Sequence, residues 1–176
     1  MGSYQYKREP LSPDEANRLS NACQQHTEKL VIWTLLDTGL RVAELAGLQR
    51  NQIDWQGHRL RVKGKGGPFG TRSKIRVIPM STRTQALLEA HFALYETFGM
   101  TPRTVQRLVK VVANRAAISR PVSPHVLRHT FAVTAVQKGI SLPAVQRLLG
   151  HDNLATTEIY LNLSPEHVLS EYAQKW

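Results

Sequence analysis

Apolar residues in this 176-residue chain keep a helical period except over one short stretch, and that exception decides the fold class. Ile53-Asp54-Trp55, Arg59-Leu60-Arg61-Val62 and Ile75-Arg76-Val77-Ile78 alternate polar and apolar residues, as half-buried strands do. Gly57 marks a turn, and Gly64 to Gly70 form a glycine-rich hairpin loop too long for a tight turn. On either side the pattern is helical. Ser12-Pro13-Asp14-Glu15 reads as a capped start, with Ser12 as N-cap and Glu15 closing a capping box. Leu30 to Leu36 is apolar enough to be buried on most sides; Thr38-Gly39-Leu40 breaks that helix and Arg41-Val42-Ala43-Glu44-Leu45 restarts a short one. Further helices are expected over about Thr82 to Phe98, from Thr101-Pro102 to about Ala117, from Ser123-Pro124 to Gly139, and from Leu142 to Leu149. A turn over about Ala155 to Leu161 and a final helix capped by Ser164-Pro165-Glu166 complete the chain. The expected architecture is mainly α with a small three-stranded antiparallel sheet inserted early.

Charge narrows the partner. Lys and Arg total 23 against 13 Asp and Glu, a formal net charge of +10. Such an excess favours a polyanion, because each phosphate neutralised releases condensed counterions. Cys23 is the single cysteine, so an intramolecular disulfide and a multi-cysteine zinc site are excluded; its helical setting suits a small buried hydrophobe. No apolar run reaches the roughly 20 residues needed to span a membrane, and no signal peptide is visible.

Arginine and histidine recur at helix starts, while few carboxylates lie near them. Cleaving a phosphodiester with cations rather than a metal needs a nucleophile in line with phosphorus. It also needs positive groups on the transition-state oxygens and an acid for the leaving oxygen. Ser123-Pro124-His125-Val126-Leu127-Arg128-His129-Thr130 places His125 and Arg128 on one face of a capped first turn, whose backbone N–H groups and dipole favour phosphate. Leu148-Leu149-Gly150-His151 sets His151 just after a helix-ending glycine, and Tyr160 follows nine residues later. Arg41 and Glu44 share a face of the short helix, where the carboxylate can orient the guanidinium.

The runs Thr38 to Leu48, Ser123 to Thr130 and Leu148 to Tyr160 closely resemble tyrosine recombinases of the phage-integrase and Xer type. The order Arg, Lys, His-x-x-Arg, His, Tyr agrees from about Pro10 to Trp176, which is far more specific than any one motif. The resemblance implies the catalytic-domain fold of these DNA breaking-rejoining enzymes, and site-specific DNA cleavage and rejoining without metal, cofactor or ATP. By it, Arg41 and Arg128 clamp the non-bridging oxygens of the scissile phosphate, His125 relays a proton from the tyrosine hydroxyl, and His151 donates a hydrogen bond to the phosphate. Tyr160 attacks phosphorus, forming a 3′-phosphotyrosyl link and freeing a 5′-hydroxyl. A lysine of the second-to-third strand hairpin protonates the departing oxygen. Gly64-Lys65-Gly66 matches that position, with Lys74 as the alternative and Lys63 flanking the same hairpin. Glu44 supports an arginine rather than acting as an acid.

The resemblance also implies double-stranded DNA as partner and, through the helix Ser164 to Trp176, other recombinase protomers, unless that helix folds back on its own core. A cytoplasmic, nucleoid-associated protein acting in mobile-element integration or a related recombination is expected, with no membrane partner. Residues 1–9 are expected to be a tag or linker remnant and 10–176 the catalytic domain, with the family's N-terminal DNA-clamping domain missing. Arg103, Arg107 and Lys110, on one helix after Thr101, are candidate DNA contacts, or simply a solvated basic face. His129 is expected to turn away and pack internally, and Trp33 and Trp55 to be packing residues. Two other activities fit the same motifs: a type IB topoisomerase-like relaxer, and a DNA-binding module completed by a further domain. The latter would have no use for Tyr160.

Overall fold

Side chains that satisfy the first backbone amides set most helix starts. A computed structural model describes residues 9–64 and 75–150. α1 (Pro13–Asn21) carries the full capping box: the Ser12 hydroxyl accepts from the Glu15 N–H, and the Glu15 carboxylate accepts from the Ser12 N–H at 2.8 Å. α2 (His26–Thr38) is capped by Gly39 at φ 63°, and α3 (Val42–Ala46) starts after Gly39, Leu40 and Arg41. A 3₁₀ turn (Arg50–Gln52) leads into β1 (Ile53–Asp54), β2 (Arg59–Lys63) and β3 (Ile75–Pro79), which pair antiparallel in that order. α4 (Thr82–Phe92), α5 (Pro102–Arg115), α6 (Pro124–Gln137) and α7 (Leu142–Leu149) follow. Ser81, Thr101 and Ser123 cap α4, α5 and α6 through their hydroxyls.

α2 is the central helix. Leu30, Val31, Ile32 and Leu35 are fully buried, and the helix packs against α1, α4, α5 and α6. Each such side chain contributes about 1.5–3 kcal/mol by leaving water. A smaller cluster of Ala132, Ala135, Val145 and Leu149 seats α7 on α6. Cys23 is buried as expected, though in the link between α1 and α2 rather than within a helix, and burial pushes its thiol up to about 11. Trp55 packs edge-to-face on Phe92, and the cations of Lys29 and Arg83 both lie over the Trp33 ring.

One expectation is corrected. α4 ends at Phe92 rather than Phe98, because the following segment pairs with the chain after α3. The Phe98 N–H donates to the Leu48 carbonyl at 2.9 Å, the Arg50 N–H donates to the Glu96 carbonyl at 3.0 Å, and Gln49 and Thr97 form an isolated bridge. That exchange buries Phe98, which a continued helix would not do. β3 is half-buried as its alternation predicts, with Ile75 and Val77 exposed while Arg76 and Ile78 face the core. The register explains it: Leu60 pairs with Ile78 and Val62 with Arg76, so the inner face of β2 fixes that of β3.

Candidate functional site

α7 ends with carbonyls that have no partner within the helix, at the negative end of its dipole. Three arginines from separate parts of the chain take them. The Arg76 Nε donates to the Leu148 carbonyl at 2.8 Å, the Arg128 Nη2 to Leu149 at 2.6 Å, and the Arg41 Nη2 to Gly150 at 3.4 Å. Arg41 and Arg128, 87 positions apart, are thereby fixed on consecutive residues immediately before His151.

Arg128 is a buried residue whose Nη1 also donates to the Gly39 carbonyl at 2.5 Å. Gly39 is there for two reasons. It adopts a left-handed conformation, and a Cβ on it would lie 2.3 Å from the Phe131 ring. The glycine that ends α2 therefore lets α6 approach and offers its carbonyl to Arg128.

Arg41 is the N-cap residue of α3 and Glu44 its third residue. Glu44 accepts the Arg41 N–H at 2.7 Å and the Arg41 Nη1 at 3.0 Å, as the shared helical face requires. A second guanidinium reaches the same carboxylate: Arg76 donates through Nη1 at 2.7 Å and Nη2 at 2.6 Å. The side chains of Arg76 and Glu44 are 8% and 10% exposed, whereas that of Arg41 is 41% exposed. Burial pushes the Glu44 carboxyl up, but the hydrogen bonds from Arg76 and Arg41 outweigh it and hold the group below the usual carboxylate range. Glu44 is therefore ionised at neutral pH, and the cluster of two arginines and one carboxylate carries net charge +1.

His125 is exposed in the first turn of α6, where Pro124 lacks an N–H and the Ser123 hydroxyl accepts from Val126. His129 differs from expectation. It is half-buried, but its ring lies edge-on to His125 at 4.5 Å, because residues four apart share a helical face. Arg103, Arg107 and Lys110 are exposed on α5, opposite the buried Val105, Val109 and Val112, and border a shallow depression of about 470 Å³.

The structure thus brings together Arg41, Glu44 and Arg128 around the end of α7, with His125 one helical turn before Arg128. Lys65, Lys74, His151, Tyr160 and the segment Ser164 to Trp176 lie outside the described residues. Arg76 was missed by sequence reasoning. The signal for it is the inner pair Leu60 and Val62 on β2, but the hairpin length leaves the parity of β3 open by one residue. Among the described residues no helix is long and apolar enough to cross a membrane.

The model of the phage integrase family matches residues 9–167. The chain is 33% identical over 161 residues to the tyrosine recombinase XerC of Actinobacillus succinogenes, covering 84% of this chain and 52% of that protein. It is 32% identical over 167 residues to the tyrosine recombinase XerA of Saccharolobus solfataricus, covering 92% and 55%. It therefore spans about half the length of these relatives. Among solved structures, the XerA recombinase superposes with a TM-score of 0.81 at 28% identity, covering 95% of this chain and 65% of that one. A post-cleavage complex of the XerH site-specific recombinase with palindromic difH substrate gives 0.76 at 22% identity, covering 97% and 54%, a likeness of fold.

Proposed function

Because this chain belongs to the phage integrase family, we propose that residues 10–176 form the catalytic domain of a site-specific DNA recombinase. The observation that carries this reading is the convergence of Arg41 and Arg128 on consecutive carbonyls at the end of α7. Two planar cations held this way suit the non-bridging oxygens of one phosphate, whose charge grows as a fifth oxygen attacks. Backbone carbonyls fix both guanidiniums beforehand, so little reorganisation is needed when the charge develops. The electrostatic work assigned to a metal in other phosphoryl transfers is done here by side chains.

Tyr160 is the nucleophile. Its hydroxyl, with an ordinary pKa of about 10, needs a proton acceptor at neutral pH, and exposed His125 supplies one. Tyr160 bonds to phosphorus, the 5′-oxygen leaves with a proton from Lys65 (or Lys74), and His151 adds a hydrogen bond to the phosphate. A 5′-hydroxyl of a second strand then attacks the 3′-phosphotyrosine and releases Tyr160. The bond broken and the bond made are of one kind, so ATP is unnecessary. Double-stranded DNA is the substrate, and Ser164 to Trp176 joins protomers in the synapse. The chain acts in the cytoplasm on the nucleoid.

The test is covalent trapping. The full chain is incubated with a randomised pool of nicked duplexes, and DNA that stays attached through denaturing electrophoresis is recovered and sequenced. Wild type is expected to give a phenol-linked adduct on a recurrent sequence, and Tyr160→Phe none. An adduct formed equally by Tyr160→Phe, or a wild type that binds duplex without becoming attached, would overturn the assignment.

A further inference from the structure

We propose that Arg76 is a positioning residue for this chemistry, acting through Glu44 to keep the charge of Arg41 directed at the scissile phosphate. The inference rests on the recombinase reading above. Three observations lead to it. Arg76 is a buried cation on the inner face of β3, opposite Val62, where an apolar residue would normally sit. Its guanidinium is divided between two tasks: the Nη1/Nη2 fork holds the Glu44 carboxylate, and Nε holds the Leu148 carbonyl. Its stem also packs over Gly150, where a Cβ would approach the Arg76 Cδ to 3.0 Å.

Consider the cluster without it. Glu44 would then face Arg41 alone, at 3.0 Å, and the pair would be electrically neutral. A phosphate approaching Arg41 would meet a guanidinium whose charge a nearby carboxylate had already answered. Arg76 changes this balance. By taking the carboxylate in a bidentate grip, it offsets the negative charge from the buried side and leaves the half-buried Arg41 as the net cation facing solvent. Arg76 does so from the second residue of β3. One residue thus joins β3, the carboxylate that holds Arg41 at the start of α3, and the end of α7 before His151.

Arg76 touches no reacting atom in this scheme. Its effect is on transition-state charge, and that separates it from a residue that merely holds the fold. A duplex with a methylphosphonate at the cleavage position lacks one anionic oxygen, so its transition state needs less positive charge. The experiment measures single-turnover adduct formation by the full chain on a nicked duplex recovered from the trapping pool, and on the same duplex with the methylphosphonate. Arg76→Gln is expected to slow the phosphodiester reaction by about 100-fold, with the dissociation constant for that duplex changed less than about threefold. On the methylphosphonate the loss should shrink to about threefold or less. Arg76→Lys, which keeps the charge but not the fork, is expected to lose about tenfold with the same substrate dependence, and it serves as the readout if the Gln variant does not fold. Equal losses on the two substrates would make Arg76 a structural residue only and overturn the proposal, as would a variant as fast as wild type. A wild type that forms no adduct on the phosphodiester would instead strike the recombinase assignment itself.

Discussion

Glu28 and Glu44 sit in the same local setting and end in different states. Each is the third residue of a helix, accepts the N-cap backbone N–H, and is gripped at both oxygens by an arginine distant in sequence. For Glu28 the partner is Arg115 on α5, at 2.7 and 3.1 Å, and the count of charges closes at zero. For Glu44 it is Arg76, but the N-cap residue Arg41 adds a second cation and stays 41% exposed. Glu15 repeats the neutral version with Arg120. The same device therefore fastens two helices and, with one arginine more, leaves a charge over at the third. A closed pair staples the fold; an excess cation beside solvent is available for an anion.

Removing the neutral staple should cost stability and spare the chemistry. Glu28→Ala leaves Arg115 without its carboxylate and the start of α2 without its capping acceptor, so unfolding free energy in urea should fall by about 1–2 kcal/mol, mostly from the lost cap. The rate of covalent trapping per folded molecule should stay within about twofold of wild type, since distant sites act independently. Glu44→Ala should lower both. If Glu28→Ala slowed trapping as much as Glu44→Ala does, the division between staple and site would be wrong.

Acid sharpens the same contrast with a smaller effect. The Arg115 guanidinium holds the Glu28 carboxyl at about 2, and Arg120 does the same for Glu15. Both values lie below the 4.5 of a free carboxyl, so the unfolded chain binds the proton first. Their stabilisation is therefore complete above pH 4.5 and drains away as pH falls toward 2. After allowance for solvent screening, each contributes about 1 kcal/mol or less. Urea melts at a series of pH values should show stability declining over that range, and Glu15→Gln should flatten the decline. A flat profile in wild type would mean that the pairs add nothing.

How much of this was legible in the sequence depends on whether a signal was local. The capping box of Ser12 and Glu15, the glycine ends of α2 and α7, and the face shared by Arg41 and Glu44 follow from spacings of three or four residues, and they appear as read. The end of α4 was overestimated because what stops it is pairing with Leu48 to Arg50, invisible in the window around Phe92. Arg76 was hidden for a related reason. Parity on a strand is set by its neighbour, and a loop of uncertain length separates β2 from β3. Among neighbours Ile75, Val77 and Ile78, the arginine looks like the outward residue. Its burial makes sense only once Glu44, 32 positions earlier, is placed beneath it.

The smallest effect tests a third kind of cation, one outside the cluster of Arg41, Arg76 and Glu44. Arg103, Arg107 and Lys110 recur at helical spacing on the exposed side of α5, whose opposite side supplies Val105, Val109 and Val112 to the core. If they meet phosphates, each removes about 0.9 from the slope of log affinity against log salt when neutralised, without altering sequence preference. Arg103→Gln with Arg107→Gln should thus reduce the slope by nearly two, seen by fluorescence anisotropy with duplex DNA at several salt concentrations. The adduct-forming rate at saturating DNA should not change, because the net positive charge beside Arg41 is set by Arg76 and Glu44. An unchanged slope would make this helix face solvated surface. A changed rate at saturation would place α5 inside the charge balance that distinguishes Glu44 from Glu28.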